Sequence, residues 1–137
     1  METNLESSIA PANWPKTSRE HKVVQIYVSE NPYLRFLEKS KVENHKSILI
    51  DSLDRFGIEY DFLTALEHGP ALSGDRYKVA GMGWADVDLA NKTAKFFGLS
   101  AGYGIGISAD HIEAIRPLLL DWRLIIGDVT RRPKIPY

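Results

Sequence analysis

The stretch Phe96–Asp110, FFGLSAGYGIGISAD, constrains this 137-residue chain more than any other. An apolar β-type segment leads into a loop with glycines at 98, 102, 104 and 106, and Ser108 then opens a helix. Glycine lets the backbone take positive φ and come close to a ligand, and the first N–H groups of a helix have no partner of their own. A strand, a glycine loop and a helix N-terminus in that order make a candidate anion cradle. The competing reading is a tight strand-to-helix turn that binds nothing. The rest of the chain reads as the scaffold that presents this stretch.

In chain order, Lys22–Val28 (KVVQIYV) is β-branched and aromatic on both faces, which predicts a central strand ended by Asn31-Pro32. Tyr33, Leu34, Phe36 and Leu37 then read as an apolar connector. Ser40-Lys-Val-Glu43 is a capping-box pattern, and Val42, Leu49, Leu53 and Phe56 fall on one helical face that Gly57 closes. His45 shares that side, four residues before Leu49, so it is predicted to point inward toward the sheet. Ile58–Leu66 reads as a strand and 67–75 as a loop. Tyr77–Leu89 is a further strand whose Gly81 and Gly83 mark a bulge or a close backbone approach. A turn at Ala90–Thr93 returns the chain into Ala94–Gly98. After the glycine loop, Ile112, Ile115 and Leu119 form a short helix face disturbed by Pro117, and Trp122–Gly127 is a last strand.

The order β-α-β-β-β-α-β predicts a single α/β (α+β) domain, a mixed sheet flanked by helices, over residues 21–128. Residues 1–20 read as an extended or disordered arm whose Trp14 docks on the domain or on a partner, and 129–137 as a basic, proline-containing tail. Seventeen basic against 18 acidic residues argue against a generic nucleic-acid or membrane-surface protein. No cysteine is present, so disulfide frameworks and thiolate zinc sites are excluded. No apolar run approaches the roughly 20 residues of a membrane span, and METNLESSIAPANWP lacks a signal or transit pattern, so a cytoplasmic location is the default expectation, with mitochondria left open.

Three chemistries compete for the glycine loop. It is not a P-loop, because no Gly-Lys-Ser/Thr follows. Gly102-Tyr-Gly104-Ile-Gly106 matches a dinucleotide fingerprint only loosely, with Asp121 ahead of its strand instead of at its end. The preferred reading is a nest of backbone N–H groups for one phosphate or carboxylate, helped by the Ser100 hydroxyl. His45 is the titratable group that patterning turns inward, although taken alone a core histidine bonded to a backbone carbonyl explains it better. His21 and His68 are expected to be exposed, and His111 to be a helix-surface residue able to line the anion site. The four histidines show no metal spacing.

Taken together, FFGLSAGYG, VENHKSILIDSL, KVVQIYV and DWRLIIGD resemble the Janus/Ocnus group, the protein-histidine and phospholysine phosphatases, over roughly Lys22 to Gly127. The resemblance implies a mixed sheet flanked by helices and a phosphatase with no cofactor and no metal. It implies His45 as general base on the attacking water, and the amides of Leu99, Ser100, Ala101 and Gly102 with the Ser100 hydroxyl on the phosphoryl oxygens. Lys22 would add positive charge, and the substrate would be a phosphorylated protein. One departure stands out: the family's Gly-Gly-Gly-Arg reads here as Gly81-Met-Gly83-Trp84, with tryptophan in the arginine's place, and Arg76 is out of register for that role. A second expectation follows from this departure, a catalytically impaired subunit that binds within a larger complex through its N-terminal arm and its Arg131-Arg132-Pro-Lys-Ile-Pro tail.

Overall fold

The structure is a computed structural model that describes residues 9–37 and 44–133. The chain runs β1 (Glu20–Val28), β2 (Asn31–Arg35), α1 (His45–Arg55), α2 (Phe62–His68), β3 (Tyr77–Asp88), β4 (Thr93–Phe97), β5 (Leu99–Ser100), β6 (Ile105–Gly106), α3 (Ala109–Ile115), a 3-10 turn at Arg116–Leu118 and β7 (Arg123–Ile126). Five strands form one mixed sheet in the order β2-β1-β3-β4-β7, and β5 and β6 make a small second sheet. Only the β4–β7 pair is parallel. The fold is the expected mixed α/β sheet flanked by helices.

Strand alternation divides the core between the two faces of the sheet. Val24, Ile26 and Val28 of β1 meet Ile48, Leu49, Leu53 and Phe56 of α1 and its C-cap. Val23, on the other face, joins Phe96, Ile112, Ile115 and Leu124. Each fully buried Leu or Ile contributes about 2 kcal/mol, so both helices are held by these stripes and not by their short intrinsic propensity. The both-faced apolar character of KVVQIYV follows from this central position.

Gly81 and Gly83 do both things that glycines in a strand can mark. The β1–β3 register shifts between Gln25 and Ile26, which pair with Gly81 and Val79. A Cβ on Gly81 would lie 2.6 Å from the Gly106 carbonyl oxygen, and one on Gly83 would lie 2.7 Å from the Phe97 carbonyl oxygen. No side chain fits there, so the base of the glycine-rich loop rests directly on the β3 backbone.

Two elements differ from the sequence expectation. Tyr33–Leu37 is not a connector: Asn31–Arg35 forms an edge strand paired antiparallel to β1. The tight hairpin between them uses Ser29 and Glu30, both at positive φ (47° and 71°) without glycine. Ile58–Leu66 is not a strand. Asp61 caps α2 by accepting from the Thr64 amide at 3.1 Å, and this cap with good helix formers overrides the weak alternation. Ser40–Glu43 and Val42 lie outside the described residues, and the described helix α1 is capped by Asn44, which accepts from the Ser47 amide at 2.7 Å.

The described part of the N-terminal segment lies against the domain. Trp14 stacks on Trp122 with ring centroids 3.8 Å apart, and the Asn13 side chain exchanges two hydrogen bonds with the Phe36 backbone. At the other end, Arg131 pairs with Glu20 at 2.9 Å and covers the Phe97 ring at 4.0 Å. No helix among the described residues is long and apolar enough to cross a membrane.

Candidate active site

The loop leaves β4 at Gly98, turns through 101–104 and returns by β6 to the cap of α3. Gly104 stands at φ 70°, a conformation that favours glycine, and its amide donates to the Ser100 carbonyl at 2.8 Å. The buried Ser100 hydroxyl accepts from the Tyr103 amide at 3.3 Å, which leaves its own hydrogen to donate. The Ala101 and Gly102 amides are at the exposed tip and donate to no described group. A Cβ on Gly102 would meet nothing within 4 Å, so neither space nor φ demands glycine there. A loop that closes on itself through two amides and presents two others is a small nest of donors.

The first turn of α1 supplies the histidine. His45 is 6% exposed, and its Nε2 lies 2.8 Å from the Gly83 carbonyl oxygen. A carbonyl cannot donate, so Nε2 carries the hydrogen and Nδ1 is the basic nitrogen. The Asn44 cap and the packing of Ile48 and Leu49 fix the helix start, and the helix start fixes the ring. The inward orientation predicted for His45 is the one observed.

Lys22 and Trp84 face each other across the β1–β3 pair. The Lys22 ammonium lies 5.6 Å from the centroid of the Trp84 ring, within reach of its π face. Trp84 is thus a buried indole beside the lysine. Arg76 is at the opposite end of β3, where its guanidinium donates to the Gly57 carbonyl at 3.4 Å, and it takes no part in this site.

All of these side chains line one cavity of about 450 Å³. Its walls include Lys22, His45, Trp84, Leu99, Ser100, Ala101 and Gly102, so the lysine, the histidine and the loop residues expected to share a site are brought together. Sequence reasoning missed Asn44, Lys46, Glu67, His68 and Tyr103, which complete the lining. Of these only Tyr103 had a visible signal, its place inside the glycine loop. Glu67 and His68 arrive at the rim because α2 is a helix that runs to His68, where the sequence reading placed a strand to Leu66 and a loop from Glu67. Lys46 Nζ donates to the Leu66 carbonyl at 2.6 Å, and Tyr103 Oη to that of Pro70 at 3.2 Å, so α1 and the loop both hold the α2 end in place. Among the described residues its two lysines outnumber its one carboxylate, Glu67, which suits an anionic ligand.

No family model matches the chain, and no curated protein matches it.

The other histidines are placed differently from expectation, except one. His68 is exposed, with its side chain 77% accessible and 3.5 Å from Glu67. His21 is not exposed: it lies within β1, fully buried, and its Nε2 donates to the Thr17 carbonyl at 2.9 Å. His111 is not a surface residue and does not line the cavity. It is fully buried against Tyr27, with Nε2 donating to the Ile26 carbonyl at 3.1 Å and Nδ1 accepting from Gln25 at 3.4 Å. Burial pushes its pKa down to about 4, which keeps it neutral. Gln25 also bridges to both backbone groups of Ser108, so this network fastens the α3 cap to β1. Among the described residues no group of three His, Cys, Asp or Glu side chains is placed to hold a metal ion.

Proposed function

We propose that the chain is a metal-independent protein phosphatase of the Janus/Ocnus kind, acting on phosphohistidine or phospholysine. The observation that carries this reading is the convergence of Lys22, His45 and the 99–102 loop on one cavity from three separate parts of the chain. In the proposed reaction the Ala101 and Gly102 amides and the Ser100 hydroxyl hold the non-bridging phosphoryl oxygens, and Lys22 balances their charge. His45 Nδ1 takes a proton from a water as its oxygen bonds to phosphorus. The P–N bond breaks, its electron pair stays on the leaving nitrogen, and that nitrogen is protonated as the product amine or imidazole departs. A positioned base of this kind contributes about 10²–10⁴-fold, and each donor on a developing oxyanion a further few kcal/mol.

The test is turnover of a phosphohistidine peptide with chelator present. We expect His45→Ala to lower kcat at least about 100-fold while circular dichroism stays unchanged. Equal turnover by the two proteins would overturn the assignment of the base.

A second reading has its own support: among the described residues no arginine lines the cavity, and a buried tryptophan stands where the resemblance expects one. Loss of a guanidinium from a dianion site is worth a few kcal/mol of binding, which suits a retired site that keeps affinity and loses rate. Phosphopeptide binding without turnover in the wild type would favour this binding subunit.

A further inference from the structure

Away from the cavity described above, β2 ends on Arg35, whose surroundings the proposed phosphatase reaction does not use. Arg35 is 3% exposed, with its guanidinium 5.4 Å from the Tyr33 ring centroid and 5.7 Å from that of Phe56. Its Nη2 donates to the Ala10 carbonyl, while its buried Nε has no hydrogen-bond partner. A buried guanidinium with an orphaned donor and, among the described residues, only a neutral acceptor is an expensive arrangement unless a counter-charge is supplied. Arg55, on the last turn of α1, lines the same cavity of about 460 Å³ together with Ile9 and Asn13. Its Nε is taken by Asp51 at 2.9 Å, and its side chain is 60% exposed. Among the described residues the carboxylate bonded to this pair is Asp51, held by Arg55, with Arg35 at the floor and Arg55 at the mouth. Asn13 is neutral, and both of its side-chain polar atoms are committed to the Phe36 backbone.

We propose that Arg35 and Arg55 form a second oxyanion site that takes one phosphate or carboxylate group between their guanidinium groups. Two planar donor forks in one cavity are the arrangement that such oxyanions recognise. The ligand's charge offsets both the burial of Arg35 and its repulsion from Arg55. The cavity is large enough for the group that carries the oxyanion as well as the oxyanion itself.

Arginine Nε–H signals of the 15N-labelled full chain test this, because no arginine lines the candidate active site and an anion bound there leaves them unmoved. Titration with inorganic phosphate, and separately with acetate, is compared with chloride at matched ionic strength. Saturable movement of the Arg35 and Arg55 signals is expected, with phosphate alone marking a phosphate-bearing ligand and both ions a general oxyanion site. In Arg55→Gln, a change at a half-exposed position, the Arg35 response should weaken at least tenfold. An absent response, one that chloride reproduces, or one that Arg55→Gln leaves intact would overturn the proposal. Turnover of phosphohistidine is scored independently, so each reading can fail without the other.

Discussion

The starts of α1 and α3 are built alike and do different things. Each is capped by a polar side chain, Asn44 accepting from Ser47 and Ser108 accepting from His111. Each aims a histidine at the sheet, and each ring fixes its tautomer by donating Nε2–H to a strand carbonyl, that of Gly83 for His45 and that of Ile26 for His111. The difference lies in what surrounds each ring. At α3 Nδ1 accepts from Gln25 and the Tyr27 ring packs edge-on to the imidazole, so the histidine acts as a neutral strut. At α1 the histidine borders a cavity that also holds Lys22 and the open amides of the loop. Burial and tautomer are common to the two histidines; only His45 borders a charged cavity, which is what suits it to the proposed role of base.

The largest effect expected from breaking this pair is on stability at α3. His111→Ala removes a fully buried ring and strands the Ile26 carbonyl, at a cost of about 3 kcal/mol in urea unfolding. The same residue sets a pH dependence whose sign is fixed. Unfolded, it titrates near 6.5; folded, it stays neutral down to about 4. Between those values the unfolded chain binds the extra proton, so stability rises with pH across that window and this contribution is complete above 6.5. The wild type should lose about 3 kcal/mol on acidification through the window, and His111→Gln, which keeps a donor for Ile26, should show a flatter curve. Equal slopes would show that the strut is protonated in the fold.

How much of this contrast was visible in the sequence follows from periodicity. His45 sits four residues from Leu49, so its inward face was legible. His111, beside Ile112 and four residues from Ile115, lies on the buried side too, but a face drawn through 112, 115 and 119 passes over it. The β1, β3, β4 and β7 strands and the α3 cap were legible because β-branched runs, glycines and Ser108 each carry a local signal. Strand β2 was not, since its hairpin turns on Ser29 and Glu30 at positive φ instead of on Asn-Gly. Helix α2 was hidden because Ala65 is its one buried residue, so no apolar stripe betrays it. The rim residues Glu67 and His68 were lost with it.

A smaller effect sharpens the open end of the comparison. Trp84→Arg places a guanidinium next to Lys22 in the cavity and should raise kcat/KM on a phosphohistidine peptide by about tenfold, or about 1.4 kcal/mol. A fall in rate would mean that the indole, by packing beside Lys22, positions the lysine for the reaction. The smallest structural effect belongs to Gly102→Ala. With open space around the added Cβ, unfolding should change by less than about 0.5 kcal/mol, while phosphate affinity falls because the methyl crowds the approach to the amides. Unchanged affinity would remove Gly102 from the nest.

The claim on which all of this rests is that Lys22, His45 and the loop make one oxyanion cavity, and amide resonances of the 15N-labelled chain under phosphate titration test it most directly. The account predicts saturable shifts concentrated at Ala101 and Gly102, weakened in Lys22→Gln, with the amides around His111 unmoved. Loop amides that stay still while phosphate is added would contradict it.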